Sequence, residues 1–374
     1  MDPFKRIAKD FRVPDNLSAR VAFWFDVYTR YGKHEHVLHH ARYPWVVYDV
    51  VDTSHFLLGS GPLWLRRQRG FDLVHKKKKE LRYILKRLSR KKSYRRLTLA
   101  EAAVFDKLQA IPGPRKKVIR QALSHLRSQL GQKDFFIDGL EHGSKYLPAI
   151  ESTFVEAGLP VELTRIPFVE SSFNPNAQSK VGASGICQIM PYTGKKFSIV
   201  NKVIDERNAP LKASQVAASI LKQNYKILKS WPLAITDYNN GTRNIRQAMK
   251  KSRAKNLSQI IRRYHDGNFK FASANFYSSF LAALHAERYH YEIFRDTIFD
   301  KKPLLKKEPL KLTRRYRPRT LARLAKIELA TLLEYNLDLR QAAAKNLLLP
   351  KGYVIFLPPE NKIILEQKIY RGRS

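Results

Sequence analysis

The chain has 374 residues, 44% of them apolar and 11% aromatic, which is enough apolar material to bury a core and excludes disorder throughout. Its 70 Lys and Arg against 32 Asp and Glu leave a net charge of +38. Such a surplus points to polyanionic partners (nucleic acid, an acidic membrane surface, or the cell wall with its envelope polymers), although charge alone does not separate these from a merely well-solvated surface. A single cysteine, Cys187, excludes an internal disulfide and a multi-cysteine metal site.

The length predicts two or three domains. No stretch approaches the roughly 20 apolar residues of a membrane helix. Asp2, Asp10 and Asp15 interrupt the N-terminus where the apolar core of a signal peptide would lie, so no export signal is expected within this sequence.

Residues 1–134 read as a basic accessory region, mostly helical. His34, His36, His39 and His40 form a small cluster; His36 and His40 could share a helix face, but no cysteine or carboxylate set completes a metal site, and a surface cluster is expected. Trp45 to Val51 is β-branched and aromatic and reads as a strand. From His75 to Arg96 there are twelve Lys or Arg and one Glu, with Leu81, Ile84, Leu85 and Leu88 at helical spacing. That predicts an amphipathic basic helix, either a solvated face or a docking surface for a polyanion. Ile111 to Pro114 marks a turn before another basic helix.

Residues 135–297 read as helices joined by short loops. One helix carries Leu147, Ile150 and Phe154, with Pro148 in its first turn. A second is expected over 161–171, kinked at Pro167 and stopped before Asn174-Pro175. Gly182-Ala183-Ser184-Gly185 is a turn, followed by an extended piece from Ile186 to Met190. Further helices are expected over about 213–229, 232–238, 242–251 and 273–294, with Thr242 as an N-cap. A charged, proline-punctuated linker follows over 298–311, then strand, helix, helix and strand over 312–358, and a basic tail over 359–374.

The chemistry concentrates at Glu170. It ends an apolar helix bearing Leu163, Ile166, Phe168 and Val169, and burial there would raise its pKa and let it hold a proton near neutral pH. A small-residue turn nearby lets a bulky substrate approach closely. By themselves these features fit a solvated helix-end carboxylate equally well.

The whole pattern resembles the soluble lytic transglycosylase (SLT) domain, and most closely the membrane-bound lytic transglycosylase D type. The matching stretches are ESSFNPNAQSKVGASGICQIMP from Glu170 to Pro191, TDYNNG from Thr236 to Gly241, and NFYSSFLAAL from Asn275. The resemblance implies a mainly α protein whose catalytic domain has a lysozyme-like, goose-type helical fold. It implies that Glu170 is the single catalytic acid and base, cleaving the MurNAc-β-1,4-GlcNAc bond of peptidoglycan without water to give 1,6-anhydro-MurNAc ends. It further implies that Ser179, Gln188, Met190, Tyr238 and Asn239 bind substrate, with the Tyr238 hydroxyl helping to orient the glutamate. No metal or organic cofactor is implied. The expected partner is the glycan strand, with anionic envelope polymers in addition and no specific nucleic acid, and the protein is expected to act as a monomer in the periplasm or envelope.

Three positions depart from the family pattern: Cys187 where a larger apolar residue is usual, Asp237 where alanine is common, and Phe276 where tyrosine is frequent. Asp237 could raise the pKa of Glu170 or serve as a second carboxylate, which keeps open a hydrolytic muramidase; a basic, non-catalytic peptidoglycan- or nucleic-acid-binding protein with a vestigial site is the third reading. Residues 312–358 resemble a LysM module, a β-α-α-β fold that binds N-acetylglucosamine-containing glycans. Thr320-Leu321, Leu324-Ala325, Tyr335-Asn336, Asn346, Leu349 and Lys351-Gly352-Tyr353 carry that likeness, while basic Arg314 to Arg319 replaces the usual start of the first helix.

Overall fold

The computed structural model describes residues 2–58, 60–300, 303–304 and 306–370. It is mainly helical, and it divides into two compact units, one of residues up to 136 together with 235–296, the other of 137–234 together with the residues from 297 on. No helix among the described residues is long and apolar enough to cross a membrane.

The first unit is built on a three-stranded antiparallel sheet and the helices around it. Glu35–His40 is the middle strand, between Val47–Asp52 and Leu126–Leu130. His36, His39 and His40 therefore sit on a strand and not on a helix, with His34 just before it; His34 and His36 stay half-buried, but His39 and His40 are not surface residues. His39 and His40 are fully buried, because the central strand has neighbours on both edges and both faces covered. His39 packs 4.7 Å from the Phe23 ring, and His40 stacks on His125 at 5.1 Å. Burial pushes both imidazoles down to about 3, which keeps them neutral. The His40 Nδ1 atom accepts from the backbone N–H groups of Arg42 and Tyr43 at 3.1 and 3.2 Å.

The basic helix runs over Leu63–Arg90 and buries Gly70, Val74, Leu81, Leu85 and Leu88, the stripe its helical spacing predicts. A second stripe on Arg115–Ser124 (Val118, Ile119 and Ala122) joins the same core. The helix Ser18–Thr29 lies along Phe271–Arg288. Asn275 joins them: its side-chain oxygen accepts from Arg20 at 2.7 Å and from Trp24 at 3.1 Å. Arg20 is buried, and its guanidinium also donates to the Arg42 carbonyl at 2.8 Å. Phe276 and Tyr277, the next two residues, are buried in the same helix.

The second unit holds the helices Leu147–Glu156 and Pro210–Leu228, packed on each other, and a C-terminal module. In that module Glu308–Lys311 and Val354–Leu357 pair antiparallel, with the expected helices Pro318–Ala325 and Leu329–Tyr335 between them and, beyond the expected order, a 3₁₀ turn Leu337–Leu339 and a short third helix Arg340–Ala344. The first strand lies within the expected linker, of which residues 301, 302 and 305 fall outside the described residues. The expected basic tail is instead a helix, Pro359–Tyr370, because Leu365 and Ile369 stand four residues apart and both enter the module core. Ile204 belongs to that core too, although it lies a hundred residues earlier in the chain. A buried polar cluster reinforces the junction: Lys212 Nζ lies 2.9 Å from both Asp338 and Glu206 and donates to the Tyr353 hydroxyl at 2.6 Å, and that hydroxyl donates to Asp338.

Candidate catalytic site

The residues leading to Glu170 form two short pieces instead of one kinked helix. A 3₁₀ turn over Val161–Arg165 passes into the α-helix Ile166–Glu170, with Pro167 in the first turn, where its missing N–H is no loss. Leu163, Ile166 and Phe168 are buried and seat the segment. Arg165 is buried as well, and its guanidinium pairs with Glu151 and donates to the Thr164 hydroxyl at 2.7 Å.

Glu170 is therefore the C-terminal residue of a helix sunk into apolar surroundings. The residue keeps some exposed surface, but burial of the carboxyl pushes its pKa up to about 8, so it is protonated at neutral pH. Two left-handed residues follow, Ser172 at φ 49° and Phe173 at φ 53°. Non-glycine residues in this region are uncommon, and each costs on the order of 1–2 kcal/mol. The surroundings hold them there. The Phe173 N–H donates to the Pro167 carbonyl at 3.2 Å, and its ring packs edge-on against Phe168 at 4.7 Å. Gly139 gives the backbone room, since a β-carbon there would stand 3.0 Å from the Ser172 carbonyl oxygen.

Ser171 ties the acid to the following turn, its hydroxyl donating to the Ile186 carbonyl at 2.8 Å. The segment from Ile186 to Met190 is not extended. Ser184 bridges to both Gln178 and Ile189, and Gln188 adopts φ 45°. Gln188 holds this shape by donating its side-chain N–H groups to the carbonyls of Gly185 (2.9 Å) and Ala177 (3.1 Å). Ser179 also closes the turn: its hydroxyl accepts from the Ala183 N–H at 2.9 Å. Of the residues expected to bind substrate here, Met190 is the exposed one, while Ser179 and Gln188 spend hydrogen bonds on the turn.

Arg207 is the residue that sequence reasoning missed. Its guanidinium donates to the carbonyls of Gly182 (2.8 Å) and Ile189 (2.9 Å) from opposite sides of the turn, while Asp205 neutralises it at 2.7 Å. Nothing in the local pattern signals this, because the partners are main-chain atoms about twenty residues upstream. Cys187 is buried, 3.9 Å from the Ser214 hydroxyl. Burial, and then the nearby Glu170 carboxylate, push its thiol up to about 12, which makes it an inert wall residue at neutral pH.

Glu170, Ser179, Gln188 and Met190 fall in the second unit, whereas Tyr238 and Asn239 belong to the first. Both lie on the helix Trp231–Asn240, and the Asn239 side-chain oxygen accepts from Ser273 at 3.2 Å. Asp237, their neighbour, is buried and pushed up to about 6 by desolvation. Its Oδ2 accepts from Thr242 at 2.8 Å, and its Oδ1 has no hydrogen-bond partner among the described residues. Thr242 consequently does not cap the next helix, whose N-cap is Gly241. No group of three or more His, Cys, Asp or Glu side chains that could hold a metal occurs among the described residues.

Comparison with known proteins places this geometry in context. Residues 149–261 match the family model described as Transglycosylase SLT domain. The membrane-bound lytic murein transglycosylase D of Escherichia coli (strain K12) is 26% identical over 159 residues, which cover 42% of this chain and 34% of that protein. The chain thus spans about a third of the length of that curated relative. Among solved structures, the 70-kDa soluble lytic transglycosylase of Escherichia coli aligns with 15% identity and a TM-score of 0.31, over 75% of this chain and 52% of its own. An inactive mutant of the lytic transglycosylase Slt from Pseudomonas aeruginosa aligns with 18% identity and a TM-score of 0.30, over 59% and 38%. Residues 149–261, which hold both Glu170 and the turn clamped by Arg207, are thus the part of the chain that matches the Transglycosylase SLT domain.

Proposed function

We propose that the protein is a peptidoglycan lytic transglycosylase and that Glu170 performs both proton transfers. The observation that carries this reading is the Glu170 carboxyl, raised to about 8 by burial at the end of its helix beside the 179–190 turn. As a protonated acid, it gives its proton to the glycosidic oxygen as the MurNAc C1–O bond to GlcNAc breaks. As a carboxylate, it then takes the proton from the muramoyl C6 hydroxyl, whose oxygen bonds to C1 and closes the 1,6-anhydro ring. No water is consumed. An intramolecular hydroxyl has a high effective concentration, so a second carboxylate is not required.

In this reading Met190 lines the sugar groove, and Ser179 and Gln188 act chiefly by holding the turn while keeping the substrate contacts that the family resemblance gives them. Tyr238 and Asn239 retain their substrate-binding role. The C-terminal module, LysM-like in its order of elements, adds affinity for N-acetylglucosamine-containing strands, and the protein works as a monomer in the periplasm or cell envelope.

Digestion of purified sacculi by wild type and by Glu170→Gln, with mass spectrometry of the released muropeptides, tests the proposal. Wild type should give ends lighter than reducing ends by the mass of one water, and Glu170→Gln should give none. Reducing ends in the wild-type digest would mark a hydrolase instead. Equal digestion by the variant would remove Glu170 from the chemistry.

A further inference from the structure

The helix Leu63–Arg90 carries a second stripe that its packing leaves largely exposed, although the Phe71 ring meets His36 edge-on at 6.2 Å. Its buried side holds Gly70, Val74, Leu81, Leu85 and Leu88. Gly70 allows a close approach, since a β-carbon there would lie 3.1 Å from the Thr53 β-carbon. On the flank away from this contact run Trp64, Phe71, His75, Lys79, Arg82 and Lys86. They are spaced by seven, four, four, three and four residues, all near the helical repeat, so they form one continuous line.

The line has two halves of different chemistry. At its N-terminal end Trp64 is 70% and Phe71 54% exposed, and Leu58 and Leu63 just before them are also exposed. One exposed apolar residue is ordinary, but two aromatics and two leucines gathered at one helix end are not. At the C-terminal end Lys79, Arg82 and Lys86 are exposed, and none has a carboxylate partner among the described residues. Neighbouring cations crowd one another here: burial, then the charges of Arg82 and Arg127, hold Lys78 below the usual lysine value.

We propose that this line is a docking surface for an anionic phospholipid membrane, which the helix meets lengthwise. Trp, Phe and Leu enter the boundary between headgroups and acyl chains, and the Lys and Arg side chains pair with lipid phosphates. The aliphatic residues decide between polyanions. Leu58 and Leu63 have no complement on a phosphodiester backbone, which takes charge and hydrogen bonds, whereas an acyl boundary accepts them. The surplus of +38 supplies long-range attraction to an acidic leaflet, and the line supplies the contact.

Co-sedimentation of the full chain with vesicles tests this. Equimolar phosphatidylglycerol and phosphatidylcholine should bind the protein, pure phosphatidylcholine at least tenfold more weakly, and binding should fall as salt rises. At about a factor of five per cation, Lys79→Gln/Arg82→Gln/Lys86→Gln should bind on the order of a hundredfold more weakly. Brominated acyl chains should quench Trp fluorescence in wild type and not in Trp64→Phe. All these positions are exposed, so the variants should keep wild-type circular dichroism and melting. Equal binding to neutral vesicles, a triple variant that binds as wild type does, or absence of Trp64-dependent quenching would overturn the proposal. So would duplex DNA displacing the protein from the anionic vesicles.

Discussion

A β-carbon on Gly185 would lie 1.9 Å from the carbonyl oxygen of Arg207, so these two main chains meet with no space for a side chain. Gly185 also has φ +74°, where alanine is strained even in open space. Gly185→Ala must therefore separate the turn from the residue whose guanidinium clamps it. The expected cost is about 3 kcal/mol or more, with sacculus digestion lost in parallel. Gly182→Ala is the control: its φ is +91°, but the nearest atom to its β-carbon is the Pro191 ring at 3.5 Å, so it should cost only about 1 kcal/mol. Thermal melts that give the two variants the same loss would refute the close approach.

The Glu170 carboxyl predicts a pH slope of definite sign. Its pKa is raised on folding to about 8, so the folded state holds the proton more tightly than the unfolded chain. The stability this contributes is full below the unfolded value of about 4.5 and is lost as pH rises through about 8. Glu170→Gln removes that loss, so it should melt higher than wild type at pH 9, by a few kcal/mol, and differ little at pH 4. In digestion assays, the first proton transfer should fail along the same alkaline limb. A wild-type melting temperature that is flat from pH 5 to pH 9 would contradict the buried acid.

Asp237 should affect stability and spare the product. It too is raised, to about 6, so its protonated form favours the folded state below the unfolded value of 3.8, and that advantage disappears as pH passes 6. Asp237→Asn should raise stability at pH 8 by roughly 1–2 kcal/mol, because an amide can keep an acceptor toward Thr242 without burying a charge. Muropeptides from this variant should still end in 1,6-anhydro rings. A variant that is folded but inactive would instead assign Asp237 to the chemistry.

Lys212→Met should strand the buried Asp338 carboxylate. Removing one member of a buried ion pair usually costs ~3–5 kcal/mol. Because Lys212 keeps about a fifth of its surface exposed, about 2–3 kcal/mol is expected. Lys212→Met/Asp338→Asn should recover much of that. A double variant as unstable as the sum of the single ones would show that the pair is not coupled.

Much of this architecture was legible wherever one residue's preference and its burial agree. Leu81, Leu85 and Leu88 announce the basic helix, and the C-terminal strand–helix–helix–strand order follows from its apolar stripes and its closing Val354–Leu357. The role proposed for Glu170 rests on its place in an extended pattern, with the apolar residues before it giving the reason for its raised pKa. The failures share one cause, which is hydrogen bonding and packing that a residue's own preference does not show. His36 and His40 suit a helix face by spacing, but the strand Leu126–Leu130, nearly ninety residues later, recruits them to a sheet. Gln188 is left-handed because its amide bonds to Ala177 and Gly185, not because glutamine prefers that region. Arg207 is visible only once its carbonyl partners are in place.

The sharing of Ile204 between the C-terminal module and the loop before Arg207 bears on how the protein can be divided. Asp205 donates its backbone N–H to the Asp338 carbonyl at 3.0 Å, and its side chain neutralises Arg207. The module is thus a bolt through the unit that holds Glu170 rather than a tag on a tether. Cutting the chain at the linker would bare an apolar surface around Ile204 and loosen the arginine that grips the turn beside Glu170. Residues 149–261 expressed alone should therefore be less stable than the same residues within the full chain.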